Sequence, residues 1–186
     1  MVYNYILLGL WAVFLLYWAF SAFGTKRDVK KPGTPWFEVL LRLLLTLVVI
    51  WVSRLQSFRQ SLGVRDIPPA IIIFGFIICA LGIALAIWAR RHLGANWSSQ
   101  PALKENHELV TDGPYKIVRH PIYTGMIVAI LGSALTGGLF WLGFFVIMIV
   151  IFIRRVKIEE KLMLQQFPNQ YPAYKLRTKA LVPFVW

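Results

Sequence analysis

The sequence predicts an all-α integral membrane protein with five transmembrane helices. The last two form a short helical hairpin, and two polar segments gather on the cytosolic side. Three observations carry this expectation. Of 186 residues, 58% are hydrophobic and only 15% are charged, against about 25% charged in a soluble domain. The apolar residues come in runs that match or approach the length needed to cross a bilayer. The Lys and Arg residues sit at the ends of those runs. The formal charge of +12 therefore reads as membrane topology, with added attraction to anionic membrane lipids, and nucleic acid is not an expected partner. The length fits one domain, 1–186.

The first run, about residues 3–23, is long enough to span as a helix. Gly24 and the basic stretch 26–31 end it. It has no basic region before it and no small-residue cleavage site, so it is expected to be retained as a helix. The second run, 36–53, contains Glu38 and Arg42 at i,i+4, a paired couple near the interface. The third, 68–89, opens on Pro68 and Pro69, where a missing N–H is tolerated. These three helices make up segment 1–89. The fourth and fifth runs, 122–136 and 139–153, are separated by Gly137 and Gly138. Each is near 15 residues, or about 22 Å of helix. That is short for an independent span and fits a tilted hairpin, 122–153, better than a re-entrant one. Small residues such as Gly75, Gly82, Ala129 and Gly132 recur in the third and fourth runs and allow close helix packing. The single Cys79 reads as a small buried hydrophobe.

Sixteen of the 20 Lys and Arg fall in segments 24–35, 90–121 and 154–186, and three fall in 54–67. The positive-inside rule then places the first three of these segments in the cytoplasm and the N-terminus outside, as an odd number of crossings requires.

Segments 90–121 and 154–186 are too polar to cross lipid. The first contains His92, His107 and His120, and its Asp112-Gly113-Pro114-Tyr115 is a turn signal. Pro121 restricts His120 and starts the fourth helix. The second contains Arg154, Arg155, Glu159 and Glu160, then Tyr171 and Tyr174 in a tail that reads as a short amphipathic helix with an interfacial anchor. A short hairpin returns both of its ends to one face, so 107–125 and 154–160 are expected to be neighbours. Acids beside arginines and histidines serve metal binding, acid–base work or the binding of a polar cofactor. No familiar ligand spacing links His107, His120 and Glu159, so no metal is expected. Glu159 and Glu160 lie about 100° apart on a helix and need not share a pocket. Arg154 and His92 read as interfacial, and Tyr171 and Tyr174 as headgroup anchors.

At these residues the sequence resembles the isoprenylcysteine carboxyl methyltransferase family and its relatives among phospholipid methyltransferases. The resemblance rests on Arg91, Leu93-Gly94 and Trp97-Ser98, then on His107-x-Leu109-Val110-x-x-Gly113-Pro114-Tyr115-x-x-Val118-Arg119-His120-Pro121-x-Tyr123-x-Gly125. Arg155, Glu159-Glu160, Phe167, Tyr171, Tyr174 and Pro183 complete it. It covers roughly residues 90–183. The short N-terminal half resembles prokaryotic members, which implies the inner membrane with the active site facing the cytoplasm.

The resemblance implies S-adenosylmethionine as cofactor, held without the Gly-rich strand–helix fingerprint of the soluble nucleotide-binding folds. It implies that segment 90–121 binds it, with His107, Leu109, Val110, Gly113, Tyr115, His120 and Tyr123 around the cofactor. Glu159 or Glu160 would hold its ribose or amino end, and Arg119 and Arg155 would act catalytically by orienting the acceptor. That acceptor is a lipophilic, prenylated molecule, foremost the carboxylate of an isoprenylcysteine-like compound. A phospholipid amine or a small thiol is the alternative, and there a carboxylate or histidine would accept a proton. A lipid reductase, a non-catalytic membrane protein and a transporter component are the further readings. A transporter would carry more polar groups at mid-membrane.

Overall fold

The computed structural model describes residues 2–26, 28–30, 67–98, 103–106, 108–137 and 139–183. The expected span 36–53, with Glu38 and Arg42, lies outside the described residues, as does His107. The described helices are α1 (Val2–Ala22), α2 (Pro69–Leu93), α3 (Pro121–Gly137), α4 (Leu139–Gln166) and α5 (Tyr171–Arg177). Strands β1 (Asp28–Lys30) and β2 (Leu103–Lys104) pair antiparallel.

The expectation of five transmembrane helices is corrected here. Among the described residues, two stretches are long and apolar enough to cross a membrane, Tyr5–Ala22 and Pro69–Asn96. The apolar part of α3, Pro121–Thr136, is shorter. At 1.5 Å per residue it reaches about 24 Å against a hydrocarbon core of about 30 Å. α4 has 28 residues, but Arg154, Arg155, Lys157, Glu159, Glu160 and Lys161 occupy its second half. Its polar half is a continuation of the same helix and brings Glu159 and Glu160 to Tyr123 and Arg119 at the start of α3.

α1 is apolar on every side, as a helix in lipid or in a deep core must be. Leu7 and Phe14 are buried against Cys79, Ile83, Ala86 and Ala129, while Leu8 and Phe20 are 65% and 78% exposed. Trp11 fixes the helix at one point. Its Nε1 donates to Ser133 Oγ at 3.1 Å, and Ser133 Oγ donates to Ala129 O at 2.9 Å, so the buried indole N–H is satisfied.

α2 and α3 touch along backbone. A Cβ on Gly125 would sit 2.6 Å from Ala86 N, and Gly82 and Gly132 meet the main chain of Ala129 and Cys79 still more closely. Glycine is required there because any side chain would push the helices apart. α2 leads through a 3-10 turn, Gly94–Asn96, to Trp97. A second 3-10 turn, Gly113–Lys116, leads to α3, as the Asp-Gly-Pro-Tyr signal predicts. The segment after α5 is sewn to the start of α3. Arg119 N donates to Lys179 O (2.8 Å), His120 N to Ala180 O (3.0 Å) and Thr124 Oγ1 to Leu181 O (2.7 Å).

Candidate active site

Where α2, α3 and α4 leave their apolar stretches, they enclose a cavity of about 370 Å³, within the usual size range of small-molecule sites. The 94–120 connection and α5 close it. Its lining is mixed. Met126, Met148, Ile151 and Phe152 give it apolar surface from α3 and α4, and Arg119, His120, Arg155 and Glu159 add charged groups. Trp18, Trp97, Tyr115 and Tyr123 add aromatic faces.

The sequence-predicted residues converge here. Leu109, Val110, Tyr115, His120, Tyr123 and Glu159 all line the cavity, together with Arg119 and Arg155. Gly113 and Glu160 stand behind it. Gly113 has φ +53°, and a Cβ on it would lie 2.5 Å from His92 Nε2. It therefore shapes the turn over the His92 ring, which in turn lies 3.0 Å from Asp112. His92, read from the sequence as interfacial, supports the loop.

The two adjacent glutamates diverge, as their angular separation on α4 requires. Glu159 faces the cavity, where Tyr123 Oη donates to its Oε1 and His120 Nδ1 lies 3.3 Å from its Oε2. The Tyr123 ring stacks between His120 (5.8 Å) and Phe152 (4.8 Å). Glu160 is buried behind this layer. Arg119 Nε and Nη2 both donate to its Oε1 at 2.7 Å, and Lys175 Nζ lies 2.6 Å from its Oε2. His120 Nε2 faces Glu160 at 3.8 Å, beyond hydrogen-bond length. Burial opposes ionisation of Glu160, but the His120 imidazole facing it and the short contacts from Lys175 and Arg119 outweigh it and hold its pKa at about 2. Burial likewise opposes a charge on His120. The Glu159 and Glu160 carboxylates win, and its pKa rises. Burial, with Glu159 nearby, raises the Tyr115 phenol, so that Tyr115 is a neutral wall whose hydroxyl donates to Ala89 O at 3.4 Å.

Arg119 is thus more constrained than its sequence role implied. Besides Glu160, it donates through Nη1 to the carbonyls of Lys175 and Thr178. It caps the C-terminal carbonyls of α5, which no intrahelical N–H can satisfy. Tyr171 and Tyr174 correct the headgroup-anchor expectation. They are 2% and 5% exposed, they line the cavity, and Tyr174 Oη donates to Tyr115 O at 2.7 Å. Arg90 was also missed. Its guanidinium lies 4.4 Å over the Trp97 ring and donates to Gly94 O and Ser21 O, fixing one aromatic wall. The signal for the tyrosines was their spacing, since Tyr171, Tyr174 and Lys175 share one helix face.

A family model described as phospholipid methyltransferase matches residues 70–170, from α2 to the threshold of α5, and the chain belongs to that family. It is also similar to individual proteins. It is 33% identical over 116 residues to protein-S-isoprenylcysteine O-methyltransferase B of Arabidopsis thaliana, covering 60% of this chain and 59% of the relative. It is 29% identical over 157 residues to protein-S-isoprenylcysteine O-methyltransferase of Schizosaccharomyces pombe, covering 78% and 66%. With protein-S-isoprenylcysteine O-methyltransferase A of Arabidopsis thaliana it shares 30% over 151 residues, covering 79% and 72%. The chain therefore spans about three fifths to two thirds of the first two relatives. All three are eukaryotic, and the expected prokaryotic membership draws no support from them.

Proposed function

We propose that the chain transfers a methyl group from S-adenosylmethionine to the carboxylate of an isoprenylcysteine-like lipid. The single observation that carries this reading is the mixed lining of the cavity, in which Met148 and Phe152 lead along one face of α4 to Arg155 and Glu159, so that apolar surface passes into charged surface. A prenylated amino acid has the same succession. The family supports methyl transfer, and the activities named for the relatives support the isoprenylcysteine acceptor.

The residues present fit the cofactor. Glu159 offers a carboxylate to an amino or hydroxyl group, and the aromatic faces and loop carbonyls suit a cation better than basic side chains would. When bound, the cofactor supplies an electrophilic methyl group on a positively charged sulfur. The protein's task is alignment. An acceptor carboxylate arrives ionised and needs no general base. Arg155 would hold one of its oxygens and leave the other free to attack, and most of the acceleration would come from that positioning. The hold must strengthen toward the transition state, since uniform binding does not raise kcat. Arg119 and Glu160 keep the wall behind the reacting groups in place. The two membrane-length helices and the basic residues at the polar ends support a membrane location with this cavity at the cytoplasmic face.

The test is calorimetry with S-adenosylhomocysteine on detergent-purified protein, together with turnover of a prenylated cysteine bearing a free carboxylate. Glu159→Ala is expected to weaken nucleotide affinity about 10- to 100-fold, the equivalent of one hydrogen bond to a charged group. Arg155→Ala is expected to keep that affinity within about twofold and lose a similar factor in kcat/KM. Normal turnover by Arg155→Ala removes the acceptor role from that residue. Absence of nucleotide binding by folded wild type removes the whole reading. An amine acceptor is the second reading, favoured by the Glu159–His120 pair inside the cavity, which can take the proton that an attacking amine must lose. Methylation of a phospholipid amine in place of the carboxylate would establish it.

A further inference from the structure

We infer that Lys175 is a positioning residue, a latch whose ammonium group on Glu160 holds α5 in the orientation that makes Tyr171 and Tyr174 a wall of the cavity. The inference rests on the reading of the cavity as the nucleotide and acceptor site.

The argument starts from Glu160. A carboxylate at 9% exposure needs partners for both oxygens. Arg119 occupies Oε1 with two N–H groups and Lys175 occupies Oε2. Glu160 thus grips α5 twice. The direct grip is Lys175 itself. The indirect grip is Arg119, which donates to the carbonyls of Lys175 and Thr178 at the end of α5. α5 has seven residues, too few to hold helical form without tertiary contacts. Its inward face is Tyr171, Tyr174 and Lys175, spaced i, i+3, i+4. Tyr174 Oη pins the same face to the Tyr115 carbonyl, so the latch and the cavity wall are parts of one contact. Glu159 is the neighbour of Glu160 on α4, and any shift of Glu160 moves the carboxylate that faces the cavity. Lys175 is 46% exposed along its side chain and touches no cavity surface. Its effect on the site therefore passes through α5, Glu160 and the Arg119 that both of them hold.

The experiment compares wild type with Lys175→Met, which keeps the chain length and removes the charge, and with Lys175→Arg, which restores it. Two readouts are taken on each, namely amide hydrogen exchange over 171–181 and S-adenosylhomocysteine affinity by calorimetry. In Lys175→Met, exchange over 171–181 is expected to accelerate at least about fivefold while exchange in α2 and α3 is unchanged, and affinity is expected to fall about 3- to 10-fold. Lys175→Arg is expected to return both to within about twofold of wild type. Unchanged exchange in Lys175→Met overturns the latch, and so does failure of Lys175→Arg to rescue. If wild type binds no nucleotide, the functional reading falls, while the exchange comparison still decides whether Lys175 holds α5.

Discussion

At the residue scale, two consecutive glutamates show how position on a helix decides chemistry. Glu159 turns to the cavity and accepts from Tyr123, whereas Glu160 turns away and is surrounded by Arg119, Lys175 and His120. The consequence is a pH dependence with a definite sign. Glu160 ionises at about 2 in the folded chain against an ordinary 4.5. A depressed carboxylate contributes stability that is fully present above its unfolded pKa and is lost as pH falls through the folded value. The thermal midpoint of wild type should therefore decline between about pH 5 and about pH 2. Glu160→Gln should start lower and show a flatter decline over the same window. Parallel curves for the two proteins would place the acid sensitivity elsewhere. His120 acts with the opposite sign. Its raised pKa contributes stability below its ordinary value of 6.5 that is lost as pH rises through the folded value.

At the scale of elements, the α2–α3 pair is set by the absence of side chains. Gly82, Gly125 and Gly132 each face main-chain atoms of the opposite helix, and the pair brings Leu93, Tyr123 and Met126 to the cavity from a fixed separation. Gly132→Leu is expected to destabilise the protein by about 1–3 kcal/mol through overpacking. Gly9→Ala in α1, where an added Cβ meets nothing within 4 Å, should be neutral or stabilising by up to about 1 kcal/mol. Thermal midpoints in one detergent compare them, and equal losses would show that backbone contact does not set the α2–α3 spacing. Much of this level was legible beforehand. Pro68, Pro69 and Pro121 marked helix starts, and small residues marked the packed face, because each acts through local backbone chemistry. The number of membrane-length helices was not legible in the same way. Hydrophobic runs of about 15 residues sit between a spanning and a packed helix, and the polar continuation of α4 decided against counting it with α1 and α2.

At the scale of the whole molecule, the site is closed by contacts between segments nearly 60 residues apart, and the sequence did not reveal them. The pairing of 107–125 with 154–160 followed from the shortness of the hairpin. No local pattern shows that the last described residues return to the start of α3, since Arg119 N and His120 N meet backbone carbonyls of Lys179 and Ala180, and any residue supplies a carbonyl. The same fact fixes what removal of the tail does. A chain ending at Arg177 loses the acceptors for Arg119 N, His120 N and Thr124 Oγ1 and the Thr178 carbonyl that Arg119 caps. It also strips Ala180 and Leu181 from Val156. Each buried donor left unpaired costs about 1–3 kcal/mol, so the 118–124 segment should loosen while α1 and α2 keep their own helical bonds and apolar length. The truncated chain is therefore expected to fractionate with membranes as wild type does and to lose S-adenosylhomocysteine binding by more than about tenfold. Lys179→Ala, which removes an exposed side chain and keeps the carbonyl, is expected to bind normally. Wild-type affinity in the truncated chain would show that the cavity is complete without its C-terminal seam. Weak binding in Lys179→Ala would transfer the role from backbone to side chain.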